Sequence, residues 1–536
     1  TAVTMLTGHG GWPMSSFLTY EGKPFFGGTY YTPSAFIDLL QKVNQAWCSQ
    51  HQALLDQAEQ VADAVHRGNH AQNEIKKLEQ STVRSAVESI LYSYDSVFGG
   101  FSQAPKFPNE PLLLLLLQVA ERTGDQTILD PLTRTLSAMP QGGIYDQVGG
   151  GFHRYSTDIR WLVPHFEKML YNQAYLARIY AKAFRLTGNP LFSRVARKTL
   201  DYVLREMTAE NGCFYSATDA DSEGHEGTYF IWTMDEIKKL LSPEDAEFII
   251  EIFGMTAHGN FEGKNILYLP ESLDEAARNR EISLDRLTAR LDPLLEALRN
   301  EREKRPPPLT DDKIIVAWNG MLVTALAEAG DLLNEPIYIR SAERAADALW
   351  KSQRPEKGIL WRVNLDGKAS IPARQEDYVH FIEALLALYD VTDQAGRLQQ
   401  ARELVDEMLE LFLDSASSAL VMGRESLLFT QPKEAYDGAL PSGNAVAVRV
   451  LSRLYRRTGE SAYRDHALNI LEVFSGGIAR HPMGYAYMLA QLDELEQGET
   501  DCRQYAYGGA VTVSYSAVKQ EEGLILTVDV QIADGW

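Results

Sequence analysis

A chain of 536 residues, 45% hydrophobic and 23% charged, has an ordinary globular composition and exceeds what one simple core usually supports, so one large domain with smaller attachments is expected. Its formal net charge is −22, with no long basic tract or arginine-rich face in view, which argues against nucleic acid or an anionic membrane as partner. No stretch reaches the roughly 18 apolar residues of a membrane span, and the leucine run Leu112–Leu117, followed by Glu121 and Arg122, reads as a buried helix.

The chain starts at Thr1 without a charged-then-apolar signal segment, and both ends look cut from something longer. Ser16 to Thr19 reads as a strand, Tyr20-Glu21-Gly22-Lys23 as a turn, and Pro24 to Tyr31 as a second extended run. Ser34 could then cap a helix running past Trp47. Strand, hairpin, strand and helix make half of an α/β sandwich, and the polar stretch from His66 to Gln80 links it to a larger helical region. Cys48, Cys213 and Cys502 lie far apart, with no CxxC or zinc spacing. They read as ordinary thiols, and a reducing cytoplasm suits them best.

Beyond the linker an internal repeat dominates. Long amphipathic helix patterns end at short breaks: Arg122-Thr123-Gly124-Asp125, Leu186-Thr187-Gly188-Asn189, Leu333-Asn334-Glu335-Pro336, Val391-Thr392-Asp393 and Arg457-Thr458-Gly459-Glu460. Glycine suits the left-handed position after a helix, and the acidic or amide residue behind it suits the next N-terminus. After each second helix comes a loop rich in glycine and aromatics, such as Gly142 to Asp146, Gly212-Cys213-Phe214-Tyr215 and Gly358-Ile359-Leu360-Trp361. Helix, tight turn, helix, long loop, repeated about six times, predicts an open solenoid or a closed α/α toroid. Irregular units, long loops and the absence of a polar capping repeat favour closure.

Between repeats, Thr233 with Glu236 has capping-box spacing, and Met234 to Phe253 gives two short helical patterns. Asn260 to Pro270 reads as a loop or short hairpin, and Ser283 to Glu303 as a charged helix ended by Pro306-Pro307-Pro308. The alternating residues from Val511 to Ile532 predict strands. The expected fold is therefore mainly α, an (α/α)6 toroid over 81–498. It is preceded by a partial α/β unit over 1–70 and followed by a β-rich segment over 505–536.

Unusual residues collect where each first helix begins: Pro105 to Asn109, His165-Phe166-Glu167-Lys168 with Asn172-Gln173, Asp311-Asp312-Lys313 with Trp318-Asn319-Gly320, Glu376-Asp377-Tyr378, and Pro441-Ser442-Gly443-Asn444. Parallel inner helices would bring all these starts to one mouth, where exposed N–H groups and helix dipoles favour oxygen-rich ligands. Entering loops add His153, Arg154, Tyr155, Trp161, Asp219 and Asp221. Carboxylates, amides and flat aromatics in one cup suit a polyhydroxylated ring.

Plainer readings stand beside these. Asp311, Glu376 and Ser442 could be helix caps, and His165 a packed core histidine. Asp219 and Asp221 resemble a calcium loop only superficially, lacking the terminal glutamate, so no metal is expected. Gly149-Gly150-Gly151 lacks a strand–GxGxxG–helix context, so no nucleotide cofactor is expected, nor any other.

Several longer motifs resemble the thioredoxin-domain proteins of the spermatogenesis-associated protein 20 type. They are Thr7-Gly8-His9-Gly10-Gly11-Trp12-Pro13-Met14-Ser15, Pro24 to Tyr30, Gly99 to Pro108, Gly142 to Tyr155, Pro164 to Tyr171, Asp219 to Glu223, Ala317-Trp318-Asn319-Gly320 and Pro441 to Asn444. The resemblance implies a thioredoxin-like unit followed by a domain similar to six-hairpin glycosidases and to the N-acylglucosamine 2-epimerase group. It implies a cysteine pair upstream of Thr7, absent from this chain, and a cis-proline at the place of Pro13. The tail is weakly similar to periplasmic thiol–disulfide reductase sandwiches.

The leading functional expectation is sugar epimerisation or isomerisation by proton transfer at the mouth. His165 would be the base or acid, with Glu167 and Lys168 tuning it. Its ligand would be held by His153, Arg154, Tyr155, Trp161, Lys168, Asn172, Asp312, Trp318, Asn319, Asp377, Tyr378 and Asn444. The alternative is glycoside hydrolysis by paired carboxylates, with Asp219, Asp221, Asp312 and Asp377 as candidates. A third is a non-catalytic glycan-binding module, with a thiol-redox partner recruited through a full thioredoxin domain.

Overall fold

All five sequence breaks carry a left-handed residue at the helix end. Gly124, Gly188, Asn334, Asp393 and Gly459 take φ between +53° and +75°. Asp125 and Asn189 then cap the next helix, each accepting the N–H two residues on. A glycine meets the left-handed requirement without a Cβ penalty, and Asn334 and Asp393 meet it with a side chain. Each corner reverses the chain and lays one helix against the last.

The computed structural model describes residues 2–11, 13–70, 75–355, 359–423, 430–501, 503–520 and 523–533. A short helix α1 (Ala2–Thr7) precedes an antiparallel pair, Ser15–Leu18 with Pro24–Gly28, and helices α2 (Pro33–Ser49) and α3 (His51–His70). Thr32, rather than Ser34, caps α2. The expected cis-proline concerns the bond from Trp12 to Pro13, and Trp12 lies outside the described residues, as do Gly358 and Cys502.

The repeat comprises α4 (Gln80–Tyr92), α5 (Glu110–Thr123), α6 (Gln126–Gln141), α7 (Leu170–Thr187) and α8 (Pro190–Glu206). An insertion comes next: α9 (Met234–Leu240), α10 (Pro243–Ile252), α11 (Leu273–Asn279) and α12 (Leu284–Arg302). The repeat resumes with α13 (Val316–Leu332), α14 (Pro336–Gln353), α15 (Gln375–Thr392), α16 (Ala395–Phe412), α17 (Gly443–Thr458), α18 (Ser461–Arg480) and α19 (Ala486–Gln497). The insertion has its own small core around Trp232, Ile249 and Leu298, and the Thr233–Glu236 capping box opens it as the spacing predicts.

Alternate helices form a closed inner ring. In order, α5 packs on α7, α7 on α13, α13 on α15, α15 on α17, α17 on α19, and α19 back on α5. The intervening α4, α6, α8, α14, α16 and α18 lie outside, which makes the fold an (α/α)6 toroid. Burial follows this layering. Inner helix α13 is buried along almost its whole length, whereas outer α8 buries one face. One hydrophobic core joins the hairpins from Val83 to Leu492. Gly320 sits where α13 crosses α15, and a Cβ there would lie 2.6 Å from the His380 carbonyl oxygen.

The inner helices are parallel. First-turn residues of neighbours touch: Glu110 of α5 with Asn172 of α7, Asp377 of α15 with the Ala317 amide of α13, and Asp437 with the amides of Ser442 and Tyr487 ahead of α17 and in α19. One end of the ring is thus made of six helix starts. The chain after α19 forms a meander, Arg503–Ala506, Val511–Gln520 and Gly523–Ile532, attached through Tyr505 to Asp390 near the other end. Among the described residues no helix is long and apolar enough to cross a membrane.

Candidate active site at the ring mouth

Short strands replace the expected helical start at His165. Tyr155–Ser156 pairs with Pro164–His165, and Lys168–Met169 pairs with Ala217–Thr218, before α7 begins at Leu170. In extended chain successive side chains alternate, so His165 and Glu167 share one face while Phe166 and Lys168 share the other. The burial agrees: His165 and Glu167 are half-buried, Phe166 and Lys168 buried. Lys168 therefore does not join His165 at the mouth. Its ammonium donates to Asp146 at 2.8 Å and to the Gly150 carbonyl at 2.9 Å, in a buried support that also holds Arg302.

His165 lies between two carboxylates. Its Nδ1 is 2.7 Å from Glu226 Oε1 and its Nε2 is 3.4 Å from Glu167 Oε2. The imidazole stacks on Tyr155, and Phe107 lies tilted against Tyr155 with ring centroids 4.7 Å apart. Arg154 donates to Glu167 at 3.0 Å and hydrogen-bonds the Tyr171 hydroxyl. Tyr171 meets Trp318 edge-on at 5.0 Å. The contact with Glu167, and then Glu226, raises the His165 pKa above its ordinary value, against partial burial that opposes it. Its hydrogen bond to His165 first, and Arg154 further on, lower Glu167.

Glu226 was not among the residues the sequence singled out. The hairpin Asp221–Ser222 with His225–Glu226 carries it to His165 and to the Phe166 amide. The hairpin can approach this closely because Gly227, at φ +77°, lies against Phe166, where a Cβ would be 2.5 Å from the ring. The one signal in the sequence is a glutamate ahead of such a glycine. Asp219 and Asp221, on the same segment, are exposed, and Asp219 folds its Oδ1 back onto the Ala220 and Asp221 amides.

Other predicted positions are consumed by the fold. Trp161 is buried, donating to the Phe98 carbonyl beneath the Lys106 ammonium. His153 is buried against Phe166 and Phe230, and burial, with the Lys168 charge, pushes its pKa down to about 3. Asn319 and Asn444 each clamp the backbone of the preceding loop, at Phe214 and Leu420. Tyr378 packs on Phe412, and Asp312 is exposed. Trp161, His153, Asn319, Asn444 and Tyr378 thus sit within the fold rather than open to a ligand, whereas Asp312 is not taken up by it.

Glu110 and Asp377 at the mouth stay poorly compensated. Burial pushes Glu110 up to about 7, opposed only by its own amide and Asn172. Burial likewise takes Asp377 up to about 6 although Arg362 lies 2.9 Å away. The buried Asn172 Oδ1 and Gln375 Nε2 have no hydrogen-bond partner, so spare polar capacity remains at this end.

The human "Spermatogenesis-associated protein 20" is 33% identical over 552 residues, spanning 93% of this chain and 70% of its own length. The chain belongs to the spermatogenesis-associated protein 20 family. An uncharacterized protein of Caenorhabditis elegans is 30% identical over 542 residues, covering 93% of this chain and 74% of its own. The Thioredox_DsbH family model, described as "Protein of unknown function, DUF255", matches residues 1–66. Among solved structures, a D-mannose isomerase aligns with TM-score 0.48 and 13% identity, over 74% of this chain and 85% of its own. Cellobiose 2-epimerase of Bacillus thermoamylovorans gives 0.49 and 10%, over 78% and 98%. The GH76 α-mannanase of Bacteroides thetaiotaomicron gives 0.48 and 11%, over 81% and 99%.

Proposed function

We propose that the mouth of this toroid catalyses proton transfer on a carbonyl-bearing sugar, as an epimerase or isomerase does. The observation that carries the reading is the half-exposed imidazole of His165, stacked on Tyr155 and flanked by Glu226 and Glu167. A histidine whose pKa is raised holds a proton near neutrality and can give it to a developing alkoxide. The neighbouring Glu167 carboxylate, held ionised, is placed to accept one. Glu226 fixes the ring through Nδ1, and Arg154 orients Glu167 through its guanidinium. The Phe107–Tyr155 pair offers aromatic faces suited to the C–H side of a sugar ring.

Hydrolysis would need two carboxyls facing each other across a bound glycosidic bond. Asp219, Asp221 and Asp312 are exposed, Asp219 bonds into its own turn, and Asp377 is buried against Arg362. No specific contact favours that reading.

The test is NMR of the protein in D2O with reducing hexoses and N-acyl amino sugars, beside His165→Ala. Deuterium entering next to the carbonyl carbon, and slowed at least about a hundredfold in the variant, is the expected result. No exchange with any sugar, or equal exchange in the variant, refutes the proposal.

A further inference from the structure

A cavity of about 420 Å³ opens at the ring mouth where the last hairpin meets the first, away from the His165 cluster. It lies between the start of α5, the segment ahead of α17 and the connection from α18 to α19. Asp437 and Tyr436, Asn109, Met483, and Arg480 with His481 are among its lining residues. The segment before α5 serves both places, with Phe107 against Tyr155 and Asn109 in the cavity wall.

Asp437 is the unusual member. It is 8% exposed, yet among the described residues it forms no ion pair. Oδ1 accepts the Ser442 amide at 3.1 Å and Oδ2 the Tyr487 amide at 2.8 Å. A carboxylate can accept about four hydrogen bonds, so capacity remains on both oxygens. Burial pushes the group up to about 7, which marks the compensation as incomplete. Tyr436 lies against Gly484, where a Cβ would be 2.0 Å from the ring, and meets Tyr485 edge-on, yet the residue remains 55% exposed.

The ligand class follows from the charges. A cation would suit Asp437 but meet the Arg480 guanidinium in the same cavity; an anion would meet Asp437. A neutral molecule avoids both conflicts and can bring hydroxyl donors to the remaining lone pairs of Asp437. An apolar ring face would complete the match by lying on Tyr436 and Met483. We propose that this cavity is a second ligand site, for a neutral polyhydroxylated ring such as a glycosyl unit. The proposal stands whether or not the His165 cluster moves protons.

The experiment titrates the 536-residue chain with the methyl glycosides of glucose, mannose and N-acetylglucosamine, followed by calorimetry and saturation-transfer NMR. Methyl glycosides have no free carbonyl, so their binding does not depend on the proposed reaction. At least one should bind, with Tyr436→Ala weakening it by about fivefold or more, Asp437→Asn weakening it too, and His165→Ala leaving it unchanged. Because Asp437 also holds two backbone amides, the exposed Tyr436 gives the decisive variant. No binding, binding unaffected by Tyr436→Ala, or binding lost in His165→Ala overturns the site. Glucosamine or glucuronate binding about tenfold more tightly than the glycosides overturns the ligand class.

Discussion

The two ends of the ring carry similar ionisable residues in opposite states. At the mouth, buried Glu110, Asp377 and Asp437 are pushed up to between about 6 and about 7, because desolvation outweighs the few donors they meet. Toward the other end, charges are paired across five inner helices. Arg178 of α7 reaches Glu328 of α13 at 2.6 Å and Glu383 of α15 at 3.0 Å. Arg449 of α17 reaches Glu383 at 2.9 Å and Glu494 of α19 at 2.8 Å, while Arg457 reaches Asp390 at 2.6 Å and Glu499 at 2.9 Å. Burial alone would raise Glu383, but Arg178, His380 and Arg449 outweigh it and hold it well below the ordinary carboxylate range. Compensation, not burial, separates the ends. The ion-paired end closes the ring, although burial still raises Asp331 there, and the carboxyls of the mouth keep acceptor capacity for a ligand.

Disturbing the ion-paired end should cost most. Arg449→Ala takes one of two guanidinium partners from Glu383, which keeps Arg178, and from Glu494, which keeps Arg453, and should lower unfolding free energy by about 3 kcal/mol in chemical denaturation. A loss below about 1 kcal/mol would show that this network does not hold the ring. Gly320→Ala probes packing between the ends, since its methyl group would meet the α15 backbone; about 1–3 kcal/mol is expected by the same measurement.

The mouth should respond in the other direction. Because Glu110 keeps its proton in the fold from the ordinary 4.5 up to about 7, stability falls as pH rises through that window. Glu110→Gln removes the penalty while an amide oxygen can still accept from Asn172. It should be more stable than the parent by ~1–2 kcal/mol at about pH 8 and equal to it near pH 4.5. Equal stability at both pH values would mean that Glu110 is compensated after all. The smallest effect is expected at the half-exposed cluster, where Glu226→Gln should change stability by no more than about 1 kcal/mol.

The helices and their corners were legible because their signals are local: a left-handed glycine, an Asp or Asn cap, a proline stop. Ring closure followed from the repeat, though the identity of each neighbour came only with packing. The candidate cluster was legible in part. His165 and Glu167 were identified, but grouping them with Lys168 assumed a helical turn where the chain is extended, and period two sends Lys168 to the opposite face. Glu226 lies 61 residues from His165 and was invisible to spacing. So was the ion network, since Arg449, Arg453 and Arg457 recur every four residues on α17 but find partners only when other helices close around them. That stripe is an arginine-rich face after all, turned inward where net charge cannot reveal it.

The most direct measurement is the titration of the His165 imidazole by NMR, in the parent chain and in Glu226→Gln. A pKa above the ordinary 6.5, falling toward it in the variant while the denaturation midpoint barely moves, is the predicted result. The stabilising part of this contact should then be present at low pH and fade as pH rises through the raised value. A pKa at or below 6.5, or one indifferent to Glu226, would contradict the claim that the mouth holds a proton ready for transfer.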